Sequence, residues 1–326
     1  MVMASTVETA SRGAAADFDM LRSGVGMGPI VIIGRHEDLC CQLVRQRLTE
    51  AGRESLFLPE DRLFPHFDFA WRVAGADGCG ALSYDGRETN FRDVGGVLAR
   101  FYSIPVSADE FATKDGRYIS AEWNALVMAW LPRLRCPVVN RLRPELWYKS
   151  HLNVTTLLSL VLSIKFKLPR VMVTSNIEDA RRFYRSSGGR MRYVPLTQPS
   201  SFRITGEESL EKLAALSGTL PFQLVEAVEG VRAEAFVVGD RVVLAIEDGS
   251  LNHEHAAEVT DHCLEVAEAL GLAFCSLSLV RARRGDWYCM GAERMPQVFQ
   301  LGEEARAEVT EGLVALLTAG ERRGRA

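Results

Sequence analysis

The stretch GGRMRYVPLTQPSSF, residues 188–202, holds the first side chains that could do chemistry. Residues 191–196 read as a strand running into a polar loop. Arg192 and Val194 lie two apart, so they point to the same face. A guanidinium on such a face pairs well with phosphate oxygens, because its planar N–H fork matches their geometry. The valine beside it offers neither charge nor donor. Arg181, Arg182, Arg185, Arg190, Arg192 and Arg203 crowd the same segment. Such a cluster suits an acidic peptide; it equally suits a solvated helix face partly balanced by Glu178 and Asp179. Further along, His253, Glu254 and His255 form a His-x-His pattern in a loop. That pattern can bind zinc when more ligands join it, but the sequence offers none nearby, and surface histidines are the plainer reading.

Three groups of elements must position these residues. GPIVIIGR, HEDLCCQLVRQRLTEAGR and ESLFLP read as strand, amphipathic helix and strand, a unit that implies a parallel sheet. No G-x-G-x-x-G follows the first strand, so a dinucleotide fingerprint is absent. DFAWRVA and GALSYDGRETNF read as strands, with Asp85-Gly86 as a hairpin turn. VGGVLARF is a further strand, residues 118–135 a helix, and PVVNR a strand. The middle opens with WYKSHLNVTTLLSLVLSIKFK, read as one long helix. Then come strand LPRVMVTS, helix IEDARRFYRSSGG with a double-glycine stop, and the strand of residues 191–196. The last part contains PFQLVEAVEG, a hairpin over VRAEAFVVGDRVVLAIEDG turning at Gly239-Asp240, and a helix over HAAEVTDHCLEVAEALG. A second hairpin turns at Arg284-Gly285, and EEARAEVTEGLVALLTAG closes the chain as a helix. The expected division is a disordered Ala/Ser-rich leader over residues 1–27, an N-terminal unit over 28–144, a small central unit over 145–204, a C-terminal unit over 205–320 and a charged tail over 321–326.

Composition narrows the class. With 326 residues, 47% hydrophobic and 25% charged, the chain is ordinary globular material for two or three packed units. A net charge of −4 gives no global attraction to nucleic acid or to a membrane surface. TTLLSLVLSIKF is about half of the ~20 apolar residues a membrane span needs. Seven cysteines, scattered and mostly in apolar runs, fit buried free thiols in a reducing compartment such as the cytoplasm. Cys40 and Cys41 read as core filler on a helix.

Five runs, in this order, resemble an ATP-grasp ligase: VVNRLRPELWYKSHLN, KLPRVMVTSNIEDARRF, MRYVPL, LVEAVEG…AEAFVVGDRVV and LGLAFCSLSLVRARRGDWY. They are most similar to the ATP-grasp peptide maturases that make graspetides, the microviridin-type macrocycles, over roughly residues 28–318. The resemblance implies an α/β fold: an N-terminal parallel sheet, a small central lid and a C-terminal antiparallel-rich sheet, with ATP between lid and C-terminal sheet. It also implies an acyl phosphate, which needs cations and Mg²⁺ on the transferring phosphoryl.

By that resemblance, Lys149 stands at the first phosphate-side lysine and Glu226 at the nucleoside contact. Val194 replaces the second lysine, for which Arg192 could substitute. Glu234 replaces an arginine and is a possible metal ligand. Ser276 or Ser278 replaces an aspartate. Glu293 survives as a metal ligand, while Met295 replaces an amide. The family's Asp-Trp-Arg insertion after AIEDGS has no counterpart. Two functions are open. One is a pseudoligase of a peptide-modifying pathway that binds a precursor peptide or an active partner ligase, docking through Arg181, Arg182 and Arg185, alone or as a homo- or hetero-oligomer. The other is a working ligase with ATP phosphates on Lys149 and Arg192, the nucleoside on Glu226, and Mg²⁺ on Glu293 with Glu234 or Glu247.

Overall fold

The computed structural model describes residues 28–319, apart from 61–66, 75–76, 102–112, 142, 148, 150, 162–164, 197–199, 217 and 248–252. The leader, the tail and the loop after AIEDGS therefore lie outside the described residues. The N-terminal unit begins with β1 (Ile30–Gly34), α1 (Leu39–Glu50) and β2 (Ser55–Pro59). All five β1 residues are buried, as expected of a strand covered on both faces of a parallel sheet. Asp38 caps α1, accepting from the Cys40 and Cys41 amides at 2.8 and 3.2 Å. With β6 (Gly96–Ala99) and β7 (Val138–Val139) the sheet runs β2-β1-β6-β7, parallel throughout. A separate ribbon of β3 (Phe67–Ala74), β4 (Asp77–Tyr84) and β5 (Arg87–Asn90) is antiparallel. Its Asp85-Gly86 turn has φ of 49° and 76°, the positive values a two-residue hairpin requires. Helix α2 (Lys114–Trp130) starts one turn earlier than expected, because Thr113 accepts from the Gly116 amide at 2.9 Å and caps it.

The expected long helix after Trp147 is two elements. β8 (His151–Asn153) is a strand, and α3 (Val154–Leu160) is short. Asn153 makes the break: its Oδ1 accepts from the Thr156 amide at 3.0 Å, so the helix can begin only after it. The middle unit follows with β9 (Val171–Thr174), α4 (Ile177–Ser186), β10 (Met191–Val194), β11 (Phe202–Ile204), α5 (Glu207–Ala214) and β12 (Phe222–Glu226). The strands form an antiparallel sheet ordered β11-β10-β12-β9. Strand β12, read from sequence at the start of the last part, thus hydrogen-bonds within the middle sheet. Ala180, Phe183, Met191, Ile204, Leu210 and Leu224 form a core under the two helices. Alternation along β10 and β12 leaves Arg192, Val194, Gln223 and Val225 on the other face.

The last unit contains β13 (Gly230–Val238), β14 (Arg241–Ile246), α6 (His253–Leu270), β15 (Phe274–Ala282), β16 (Trp287–Glu293) and α7 (Glu303–Leu317). The sheet order is β14-β13-β15-β16-β8, antiparallel throughout. Ala235, Val237 and Leu277 of one face pack with Cys263, Val266 and Leu270 of α6. Phe236, Val238 and Phe274 join Val309 and Leu313 of α7 and Ile30, Ile32 and Val44 of the N-terminal unit; each such side chain contributes about 1.5–3 kcal/mol by burial. Buried polar clamps fix the two units together. The Asn140 amide donates to the Phe274 carbonyl at 2.6 Å and accepts from its N–H at 2.8 Å. Arg100 bridges Asp38 at 2.9 Å and the Pro296 carbonyl at 3.0 Å.

Two smaller expectations change. Helix α6 takes in His253 and His255, so the expected loop there is helical. Cys79 is exposed, while the other six free cysteines are buried. Cys40 behaves as core: burial pushes its thiol up to about 11. Among the described residues, no helix is long and apolar enough to cross a membrane.

Candidate functional site

The open face of the middle sheet and one face of the C-terminal sheet enclose a cleft of about 800 Å³. Residues 227–230 join the two sheets along its edge. Gly230 is required there: a Cβ would lie 2.0 Å from the Arg281 carbonyl oxygen across the β13–β15 pair. Any side chain would push the strands apart at the junction.

One side of the cleft is cationic. Arg192 of β10 and Arg203 of β11 stand directly opposite each other in the antiparallel register. Arg232 of β13 lines the same cleft from the other sheet. The Arg192 guanidinium donates to Ser201 Oγ, at 3.1 Å from Nε. Among the described residues, no carboxylate forms an ion pair with Arg192, Arg203 or Arg232. Burial, then the charges of Arg232 and Arg203, hold the Arg192 guanidinium below its ordinary pKa. Beside them Gln223 is 0% exposed. Its Oε1 accepts from Thr155 Oγ1 at 2.9 Å, and its Nε2 meets no partner among the described residues.

The other side carries carboxylates. Glu234 of β13 sits opposite Ser278 of β15. It accepts hydrogen bonds from both Ser276 Oγ, at 2.5 Å, and Ser278 Oγ, at 2.9 Å. Burial raises its pKa; the two hydroxyls pull it down, Glu293 adds to the rise, and His151 opposes it, with the net direction upward. Glu293 of β16 pairs with His151 of β8, Oε1 to Nδ1 at 2.8 Å. Glu247 lines the cleft, and Glu229, at the junction, is ion-paired with Arg190 at 3.2 Å. Among the described residues, no three or more of the His, Cys, Asp and Glu side chains converge so as to hold a metal ion.

The residues singled out from sequence fall into three places. Arg192, Val194, Glu234, Glu247 and Ser278 line the cleft, and Glu293 adjoins it through His151. Lys149 is exposed and is not among the lining residues; its carbonyl accepts from Arg294. Glu226 lies on the opposite face of β12 from Gln223 and Val225 and pairs with Arg170 at 3.1 Å. Burial works to raise its carboxyl, but hydrogen bonds and charge from Arg170, with Arg190 beyond, hold it below the usual range. Arg181, Arg182 and Arg185 sit on α4, on the outer side of the middle unit. Arg181 pairs with Glu178 at 2.6 Å, Arg182 with Asp179, and Arg185 donates to the Arg181 carbonyl. Met295 is buried. Sequence reading missed His151, Asn153, Gln223 and Arg232 as lining residues. The alternation Arg232-x-Glu234 and Gln223-x-Val225 was a usable signal for two of the strands; His151 and Asn153 were hidden inside an apparent helix.

No family model and no curated protein matches the chain. Solved structures do. The Chryseobacterium gregarium RiPP-associated ATP-grasp ligase in complex with ADP and a leader and core peptide superposes with a TM-score of 0.70 at 17% identity, over 90% of this chain and 97% of that one. The macrocyclase MdnC of Microcystis aeruginosa MRC, bound with precursor peptide MdnA, gives 0.70 at 14% identity over 87% and 99%. The ATP-grasp ligase PsnB, complexed with a phosphomimetic variant of minimal precursor, Mg and ADP, gives 0.70 at 20% identity over 89% and 97%. The chain therefore has the ATP-grasp fold, with the parallel sheet, central lid and antiparallel sheet expected of it.

Proposed function

We propose that this chain is a non-catalytic ATP-grasp protein of a peptide-modification pathway, which binds a precursor peptide or an active partner ligase and does not activate carboxylates. The fold is that of peptide-modifying ligases, and several of them were solved with peptides bound. One observation carries the non-catalytic half of the reading. Two of the three carboxylates in line to hold Mg²⁺ are already hydrogen-bonded: Glu234 to two serine hydroxyls and Glu293 to His151; the third, Glu247, lines the cleft. Mg²⁺ demands near-ideal octahedral oxygen ligation. In place of the amide, Met295 offers a soft, buried thioether. With a thioether in place of an oxygen ligand, this side offers Mg²⁺ an incomplete oxygen set, while the cationic side fits the phosphates of a nucleotide. Without a metal on the transferring phosphoryl, its developing charge is left unstabilised.

A second reading, a working ligase, draws on Glu247, which lines the cleft. ADP production from MgATP separates the two. The purified chain, with an acidic peptide present, releases no ADP above the protein-free rate. The same holds for Val194→Lys, which adds a cation to the lid face but no metal oxygen. Turnover in either protein would refute the non-catalytic reading.

A further inference from the structure

We infer that the free edge of β3 pairs with the same edge of a second copy of this chain, antiparallel about a two-fold axis at Ala70. The two three-stranded ribbons then form one continuous sheet. The inference is independent of how the cleft is read.

The sequence of β3 supplies the symmetry. Phe67-Asp68-Phe69-Ala70-Trp71-Arg72-Val73 runs apolar, charged, aromatic, small, aromatic, charged, apolar. In an isologous two-fold contact, residue i meets j and j meets i. A pairing centred on Ala70 sets Asp68 opposite Arg72 of the second copy, and Phe69 opposite Trp71, each twice. Opposite charges and paired aromatic rings are favourable cross-strand combinations. Both charges are available. Asp68 and Arg72 are exposed and form no ion pair among the described residues. Their partners on β4 are Ser83 and Cys79, not charged residues.

The edge itself is the second support. Among the described residues β3 pairs with β4 alone, from Phe67 opposite Tyr84 to Ala74 opposite Asp77. Its other row of backbone N–H and C=O groups therefore has no strand beside it. An exposed edge is a template for another chain, and proteins blunt such edges by keeping them short or by placing lysine or proline there. The other edge strands of this chain have two to six residues. β3 has eight, with neither lysine nor proline. Its register is fixed from inside: Phe67 lies 5.4 Å from Trp123 of α2, and Phe69 5.4 Å from Trp130. Residues matched across Ala70 share a face, so rings meet rings on the inner side and charges meet charges on the outer side. A slip of one residue would set the rings of one copy on the same side as the charges of the other. Val73 is 53% exposed at the end of the inner face, and the pairing covers it with Phe67 of the second copy.

Sedimentation velocity of the full chain over a wide concentration range tests this. A reversible dimer is expected. Asp68→Arg sets like charges opposite each other twice and should raise the dissociation constant by about tenfold, and Arg72→Asp should do the same. The two substitutions together restore opposite charges and should restore the dimer. A second measurement reads the axis. Two cysteines introduced by Ala70→Cys would have Cα atoms about 4.5–5.5 Å apart, within disulfide reach. In a Cys79→Ser background, which removes the exposed thiol, mild oxidation should cross-link the Ala70→Cys chain and not its parent. A chain monomeric throughout, single reversals without effect, a double reversal as weak as the singles, or no cross-link at Ala70→Cys would each overturn the inference. The wild-type measurement and the cross-link stand even if a charge variant fails to fold.

Discussion

The two sides of the cleft treat their charges in opposite ways. On the C-terminal sheet, Glu234 and Glu293 are each satisfied by neighbours one strand away, Ser276 and Ser278 for the first and His151 for the second. Across the cleft, Arg192 and Arg203 of the middle sheet form no ion pair with a carboxylate among the described residues, whereas Arg232 shares β13 with Glu234 and stands beside Glu247. A hydrogen-bonded carboxylate is held in one orientation by its neighbours, although each oxygen keeps a further lone pair. An unpaired group gains whatever arrives. The difference teaches that Glu234 and Glu293 are held in place by neighbours, whereas Arg192 and Arg203 leave guanidinium N–H groups open to the cleft. A third group of arginines sharpens the contrast. Arg181 and Arg182, on the outer helix, pair with acidic residues one turn away and so resemble the carboxylate side.

Removing partners from the satisfied side gives the largest effect. Ser276→Ala with Ser278→Ala strips a half-buried carboxylate of two hydroxyl donors. At neutral pH the double variant should lose about 3 kcal/mol of unfolding free energy, from hydrogen bonds to charge worth about 1.5–3 kcal/mol each, as measured by denaturant titration. No loss would mean that solvent, not the serines, satisfies Glu234.

The same carboxyl makes a pH prediction. Its folded pKa is raised above the ordinary value, so the folded state holds the proton more tightly than the unfolded one. The stability it contributes is complete below the ordinary glutamate pKa and is lost as pH rises through the raised one. Glu234→Gln should remove that decline, and melting temperatures from pH 4 upward check it. An unchanged slope would assign the titration to another group.

On the open side the sign reverses. Arg203→Gln removes one member of an opposed like-charge pair and should stabilise the ligand-free protein by about 0.2–1 kcal/mol. Destabilisation would reveal a partner for Arg203. The smallest effect belongs to α4. Arg181→Glu with Arg185→Glu should cost roughly 0.5 kcal/mol or less for the lost helix pair and leave nucleotide binding unchanged. It should slow association with an acidic partner in a salt-dependent way.

Much of this was legible in the sequence, for reasons that differ by element. The apolar run of β1, the Asp85-Gly86 turn and the double-glycine stop after α4 each announce themselves through local chemistry. β8 does not: three residues that pair only with distant β16 carry no local signal, and their fusion to α3 gave one false long helix. At the site, Arg192 was found because its strand is long enough to show alternation. Glu226 was placed by its position in a motif, but alternation along β12 turns it away from the cleft toward Arg170. His151, Gln223 and Arg232 enter only through the pairing of two sheets, which no single segment encodes.

Manganese, a paramagnetic stand-in for magnesium, tests the central claim most directly. Electron paramagnetic resonance reads free Mn²⁺ in a mixture with ADP, before and after the protein is added. If the carboxylate side takes no metal, the protein leaves the free-ion signal level or raises it by drawing ADP away from Mn²⁺. A fall in that signal would contradict the account, because it would place the metal on Glu234, Glu293 or Glu247 together with the nucleotide.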